Sequence, residues 1–183
     1  MQMQSFDGQV VLRGARVTLR PLTQLDAGPI VEFAGDLNVS RFTRTIPYPF
    51  GLQDAQAFVA RSIDVGRTIG DVWAMDGTAS GLGSLVGVIG LAPMNSGRAR
   101  QSEIGYWVAP ALWNSGLASE GLNLLLEANP QKSQTIFAEV FQDNPGSARV
   151  LTNAGFEFVG DAESFSLARN LTIPTWTYLK TFG

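Results

Sequence analysis

A mixed α/β domain is the fold class this sequence predicts, and three observations predict it. The stretch Glu103–Glu127 (EIGYWVAPALWNSGLASEGLNLLLE) changes period within one run, from two-residue alternation to a helical stripe. Ahead of it, Asp71–Asp76 (DVWAMD) and Ser84–Ala92 (SLVGVIGLA) are apolar runs joined by the glycine-rich GTASGLG, a hairpin signal. Behind it, Thr135–Gln142 (TIFAEVFQ) alternates like a strand, and DNPGSARVLTNAGF carries helix start and stop signals.

Taken in order, residues 1–9 are polar and read as frayed. Val10–Leu22 holds two short apolar runs around Gly14; Val17 and Leu19 alternate with Arg16, Thr18 and Arg20 in a strand that Pro21 ends. Thr23 or Asp26 caps a helix carrying Ile30, Val31 and Phe33, which stops near Gly35. Val39–Phe50 (VSRFTRTIPYPF) is irregular and stiffened by Pro47 and Pro49; its aromatics either wall a cleft or cap the core. A second helix spans Asp54–Ile63. The two hairpin strands follow, then the turn PMNSGRAR, which makes the Glu103 strand the third of three antiparallel neighbours. In the helix after it, Leu117, Gly121, Leu124 and Ala128 form the apolar stripe, widened by Ala118, Leu122 and Leu125, with Ser119, Glu120, Asn123 and Glu127 opposite. Asn144 is an N-cap, Pro145 the first helical residue and Gly155 the C-terminal cap. Phe156–Gly160, Ser164–Ala168 and Thr175–Thr181 close the chain as three strands, and no linker or repeat divides residues 1–183 into more than one domain.

Composition removes several chemistries. Hydrophobic residues at 45% and charged ones at 16% of 183 residues are globular values. A net charge of −3 without a basic run excludes a nucleic-acid footprint. With neither cysteine nor histidine in the sequence, thiolate or histidine metal sites, disulfides and Ser-His-Asp triads are ruled out. The N-terminal MQMQSFDGQ lacks signal-peptide character, and no apolar run approaches membrane-spanning length. The expectation is a cytoplasmic chain with no membrane or nucleic-acid partner and no metal, a monomer or homodimer.

The loop before the central helix is the strongest candidate site. A loop entering a helix exposes backbone N–H groups that no intrahelical carbonyl can accept, and the helix dipole adds partial positive charge there. Gly116 permits backbone angles closed to other residues, and Ala118 keeps the helix start small. That suits a phosphate or diphosphate; an ordinary strand–loop–helix connection is the alternative.

In sum the chain resembles the GNAT superfamily of acetyltransferases, and within it the ribosomal-protein-alanine N-acetyltransferase subfamily. The resemblance rests on RVTLRPL, VGVIGL, EIGYWVAPALWNSGLASEG and NPGSARVLTNAGFEFVG, in that order, over roughly residues 14–160. It implies a mixed, mostly antiparallel sheet splayed between its fourth and fifth strands, with helices on both faces and acetyl-CoA in the opening. The family's Q/R-x-x-G-x-G/A loop falls on Trp113–Ala118: Gly116 and Ala118 match, Trp113 replaces Gln or Arg, and Asn114 and Ser115 depart from the pattern. Asn tolerates left-handed angles, so the turn survives, but a positive charge common at Ser115 is lost. The N-x-x-S pattern falls on Asn144 and Ser147, which implies contact with the pantetheine arm and, for Ser147, protonation of the leaving thiolate; the alternative is a cap and a first-turn polar residue. The implied cofactor-binding set is Trp107, Val108, Trp113, Asn114, Ser115, Gly116, Leu117, Ala118, Ser119, Asn144, Ser147 and Arg149, the last at the nucleotide end or simply solvated.

The reaction so implied is direct attack of an amine on an acetyl thioester in one ternary complex. The Val108 N–H is the expected oxyanion donor. Without histidine or cysteine the base narrows to a carboxylate acting through water, Glu103 first and Glu139 second. Glu103 has an alternative reading as a sheet-end charge paired with Arg98 or Arg100. An α-amine (~7.7) sits well below a lysine (~10.4), a gap of roughly 3.7 kcal/mol, so a weak base favours an α-amine acceptor on a protein or peptide. A small-molecule amine acceptor, and a non-catalytic acyl-CoA sensor, are the competing readings.

Overall fold

The computed structural model describes residues 4–6, 9–64, 70–94 and 100–183. Among these, nine strands form one sheet in the spatial order β1-β2-β3-β4-β5-β6-β7-β9-β8. They are β1 Gln4–Phe6, β2 Gln9–Arg13, β3 Thr18–Pro21, β4 Asp71–Asp76, β5 Gly87–Met94, β6 Gln101–Val108, β7 Thr135–Phe141, β8 Glu157–Ser166 and β9 Leu171–Thr181. The α-helices are α1 Ala27–Ala34, the single turn α2 Leu37–Ser40, α3 Leu52–Ile63, α4 Leu117–Ala128 and α5 Pro145–Asn153.

Helices cover both faces, which explains why β4 reads as a continuous apolar run instead of an alternating one. Its Val72 and Ala74 join the cluster under α1 and α3 with Ile30, Ala55, Val59 and Val88. Its Trp73 and Met75 join the larger cluster under α4 and α5, with Leu19, Ile89, Leu122, Leu125 and Leu151. β4, β5 and β6 are successive antiparallel neighbours, as the hairpin signal predicts.

Local signals act where they were read. Thr23 N–H donates to Asp26 Oδ2 at 2.7 Å ahead of α1, and Gly51 N–H to Asp54 Oδ2 at 2.9 Å ahead of α3. Three expectations need correction. The N-terminal stretch is not wholly frayed: β1 pairs with β2, and Gln9 is buried, its Nε2 donating to Val72 O at 2.8 Å. The central helix buries Leu126, outside the expected stripe, along with Leu117, Gly121, Leu122 and Leu125, while Leu124 and Ala128 pack on the core only partly buried. At the C-terminus one long strand, β8, replaces two short ones. β8 is the sheet's edge and is exposed along most of its length, so burial does not impose the alternation by which a strand is recognised.

One ion-pair cluster ties the helical layer to the sheet. Arg20 on β3 donates to both oxygens of Asp26, at 2.9 and 2.8 Å, and to Asp76 at 2.8 Å. The Asp26 side chain is only 3% exposed, the Arg20 side chain 22%. Burial works against the guanidinium's charge, but the Asp26 bond outweighs it and raises its pKa. Arg20→Ala, by stranding a buried carboxylate, is expected to cost about 2–3 kcal/mol in urea unfolding, below the ~3–5 of fully buried pairs. Asp76, Glu120 and Asp143 sit below the ordinary carboxylate range; in each, burial pushes upward and is outweighed by hydrogen bonds from Thr78 and Arg20, from Arg16 and Val17, or from Arg169 and Arg41. A depressed folded pKa gives stability above the unfolded value (~4) that is lost as pH falls through the folded one. The urea midpoint is therefore expected to drop steadily once pH falls below about 5.

Candidate active site

The site begins where the sheet comes apart. β6 and β7 run parallel but pair only at Gln101–Thr135, Ser102–Ile136 and Glu103–Phe137. Beyond Glu103, β6 stays on β5 as far as Val108 opposite Gly87, while β7 follows β9. The splay expected between the fourth and fifth strands thus falls between the sixth and seventh, because β1 and β2 precede the strand that the sequence reading counts first. Bonded and non-bonded residues alternate along an antiparallel pair. Ala109 N–H donates to Val86 O at 2.8 Å, which in this register makes Trp107, Gly105 and Glu103 the residues bonded to β5. The amides of Ile104, Tyr106 and Val108 therefore face the other edge; that of Ile104 still serves the Glu103–Phe137 pairing, and those of Tyr106 and Val108 face into the opening.

A cavity of about 970 Å³ fills it. Of the residues singled out from sequence, Glu103, Trp107, Val108, Trp113, Asn114, Gly116, Leu117, Ala118, Ser119, Asn144, Ser147 and Arg149 line this cavity. Ser115 is not among them: its hydroxyl turns back to Leu112 O at 2.5 Å.

The loop between β6 and α4 is held from both sides. Trp113 Nε1 donates to Val108 O at 2.8 Å. Asn114 and Gly116 are left-handed, with φ of 59° and 83°, and turn the chain sharply into α4. The first amide of α4 that reaches a carbonyl is Glu120 N, bonded to Gly116 O at 3.0 Å; among the described residues those of Leu117, Ala118 and Ser119 have no acceptor. Three unsatisfied amides beside the small Ala118, at the positive end of a helix dipole, fit an anionic group. The loop is also tied to the strands behind it. Arg16, between β2 and β3, donates through Nη1 to Ser115 O at 2.7 Å and through Nε to Glu120 Oε2 at 2.9 Å. Glu120 Oε1 in turn accepts the amides of Arg16 and Val17, at 2.6 and 3.1 Å. Sequence reasoning placed Glu120 on the solvent side of α4, and only the tertiary structure reveals its partner.

On the far wall, α5 starts as its cap residues predict. Asn144 Oδ1 accepts the Ser147 amide at 3.2 Å, and Gly155 turns left-handed past the helix end. Ser147 Oγ lies 2.9 Å from the Tyr106 hydroxyl, a partner missed in the sequence. Burial pushes the Tyr106 phenol up to about 12, and the Ser147 bond only partly opposes it.

Glu103 points to the opposite face, under α1 and α3. Its partner is Arg44, not Arg100; Arg98 lies outside the described residues. Arg44 also donates to Glu139 at 2.9 Å, and Glu139 accepts from Ser164 and from Thr175 at 2.6 Å. Burial disfavours the Arg44 charge, but the two carboxylates overcome it and raise its pKa. The VSRFTRTIPYPF segment does both things expected of it: Phe42, Ile46, Pro47 and Phe50 line the cavity, while Ile46 and Phe50 also pack on the core. No group of three or more metal-ligating side chains occurs among the described residues.

Comparison with known proteins agrees with this architecture. The family profile described as "Acetyltransferase (GNAT) domain" matches residues 16–157. "Uncharacterized N-acetyltransferase YoaA" of Bacillus subtilis (strain 168) is 27% identical over 160 residues, 82% of this chain and 84% of that protein. Ribosomal-protein-S5-alanine acetyltransferase from Vibrio fischeri superposes with a TM-score of 0.79 at 13% identity, covering 94% of this chain and 97% of its own. Microcin C7 self-immunity acetyltransferase MccE, solved with acetyl-CoA and AMP, gives 0.76 at 14% identity over 92% and 94%. Those structural identities speak for the fold alone, but a profile spanning most of the sequence, laid over a sheet that opens beside a helix N-terminus, decides the matter: the chain belongs to the GNAT acetyltransferase family and is an acyltransferase.

Proposed function

We propose that residues 1–183 act as one catalytic domain that transfers acetyl from acetyl-CoA to a primary amine, the N-terminal α-amine of a protein or peptide. The observation carrying this reading is the opening between β6 and β7, with a carboxylate on one face, a serine hydroxyl on the other and unbonded amides between them. When bound, acetyl-CoA supplies an activated acetyl thioester. The amides of Leu117, Ala118 and Ser119 would hold its diphosphate, with Trp113, Asn114, Ser115 and Gly116 shaping the turn. Trp107 and Asn144 would flank the pantetheine arm and the exposed Arg149 would meet the nucleotide end. The Val108 amide would donate to the developing oxyanion. Glu103 would take a proton from the amine through water, and Ser147 would serve the leaving sulfur.

A charge census of the cavity wall supports this acceptor class. Among the described residues its carboxylates are Asp54, Glu103 and Glu139, and its guanidiniums Arg44, Arg61 and Arg149. The signs balance, so a polycation such as a polyamine or aminoglycoside gains little there, whereas a single terminal ammonium finds Glu103 beside the opening. A panel of peptides, polyamines, aminoglycosides and amino acids, read by free thiol release, tests this. Peptides with free N-termini are expected to turn over at least about tenfold faster in kcat/KM than any polycation, a difference of ~1.4 kcal/mol. Faster turnover of a small polycation would overturn the acceptor assignment, and no thiol release with any amine would overturn the activity.

A further inference from the structure

We propose that Tyr106 is a positioning residue of the transfer: its phenol donates to Ser147 Oγ and so aims the serine's own hydrogen at the departing sulfur. The inference rests on the acetyl-transfer reading above. A serine in the first turn of a helix otherwise turns its hydroxyl onto a nearby backbone carbonyl. Here a second oxygen meets it. The Tyr106 hydroxyl lies 2.9 Å from Ser147 Oγ, where either oxygen could donate, and 3.3 Å from Ser147 O, which can only accept. A phenol is the better donor of the two hydroxyls and the poorer acceptor, so we assign the phenol's hydrogen to the shorter contact. One Ser147 lone pair is then occupied, and its O–H is left to point into the cavity that both residues line.

The arrangement also limits what the pair can do. As the amine nitrogen bonds to the carbonyl carbon, the C–S bond breaks and its electron pair leaves on sulfur. The Tyr106 phenol, held at about 12 by burial, is roughly a thousandfold or more weaker an acid than a thiol (~8.5). Tyr106 therefore keeps its proton. The two hydroxyls stabilise the thiolate through a chain of donated hydrogen bonds. The proton that finally neutralises sulfur is the one shed by the amine, returned through solvent.

The test is a double-mutant cycle on Y106F and S147A, with acetyl-CoA and the best peptide acceptor, scored by thiol release. Y106F is expected to lower kcat about tenfold, the order of one hydrogen bond, with KM for acetyl-CoA within about twofold. In the S147A background Y106F should have no further effect, because there is no hydroxyl left to aim. An unchanged kcat in Y106F, or the same loss in both backgrounds, overturns the proposal while leaving acetyl transfer intact. Wild-type protein that releases no thiol overturns both. If Y106F loses its cooperative melt, ring-fluorinated tyrosine at position 106 keeps shape and hydroxyl. A kcat that shifts with phenol acidity at constant KM then supports the role, and an indifferent kcat removes it.

Discussion

Gly116→Val is expected to weaken acetyl-CoA binding by about 30- to 100-fold, measured by titration calorimetry. The residue sits at φ 83°, where a β-branched side chain costs roughly 1–3 kcal/mol. The loop escapes that cost by rotating Gly116 out of the left-handed region, which swings the amides of Leu117, Ala118 and Ser119 away from the position they now share. A second strain adds to it. A Cβ at Gly116 would lie 3.3 Å from Arg16 Nη2, a tight contact that the guanidinium relieves by a small shift. Arg16 is what joins Ser115 O to Glu120, and displacing it loosens the loop from α4. Gly116→Ala, with the same φ but no β-branch, should fall between wild type and valine. Because the loop is exposed, the melting temperature of either variant should drop by only a few degrees while affinity falls sharply. Unchanged affinity in the valine variant would mean that the diphosphate is held elsewhere.

The features legible in the sequence were those settled by neighbours along the chain. Asn144, Pro145 and Gly155 delimit α5 within a dozen residues, and each acts through backbone angles or a local hydrogen bond. The period change at Glu103–Glu127 exposed the β6–loop–α4 unit for the same reason, since strand and helix bury side chains at different spacings. The side chains that complete the site come from far away. Arg44 reaches Glu103 across 59 positions, Tyr106 reaches Ser147 across 41, and Arg16 reaches Glu120 across 104. Pairing of that kind leaves no periodic trace. Read from sequence as a sheet-end charge, Glu103 is expected to find its partner nearby along the chain, at Arg98 or Arg100, whereas the structure pairs it with Arg44. β8, read as two strands, differs for another reason: its exposed residues carry no burial code, and its continuity comes from pairing along β9.

Glu103→Gln is expected to lower kcat by about a hundredfold or more, with KM for acetyl-CoA nearly unchanged. Two carboxylates compete for the role of base, and their surroundings separate them. Glu139 spends its oxygens on Arg44, Ser164 and Thr175, and its side chain is 15% exposed. Glu103 bonds to Arg44 alone among the described residues and is 27% exposed, so it keeps lone pairs for a water. Glutamine retains an oxygen that can accept from Arg44, which preserves geometry and removes only the charge. The pH dependence then carries a sign. Near pH 7 most of an α-amine (~7.7) is protonated, and the wild type has a carboxylate to relieve it. The variant has none, so its deficit is greatest on the acid side and narrows above about pH 9, where the amine deprotonates without help. Glu139→Gln should lose far less turnover, because its contribution is to hold Arg44 and the β7–β9 wall in place. If the Glu139 variant shows the larger, pH-dependent loss instead, the two roles are exchanged; if the Glu103 profile matches wild type throughout, the amine is deprotonated by solvent before it reaches the cleft.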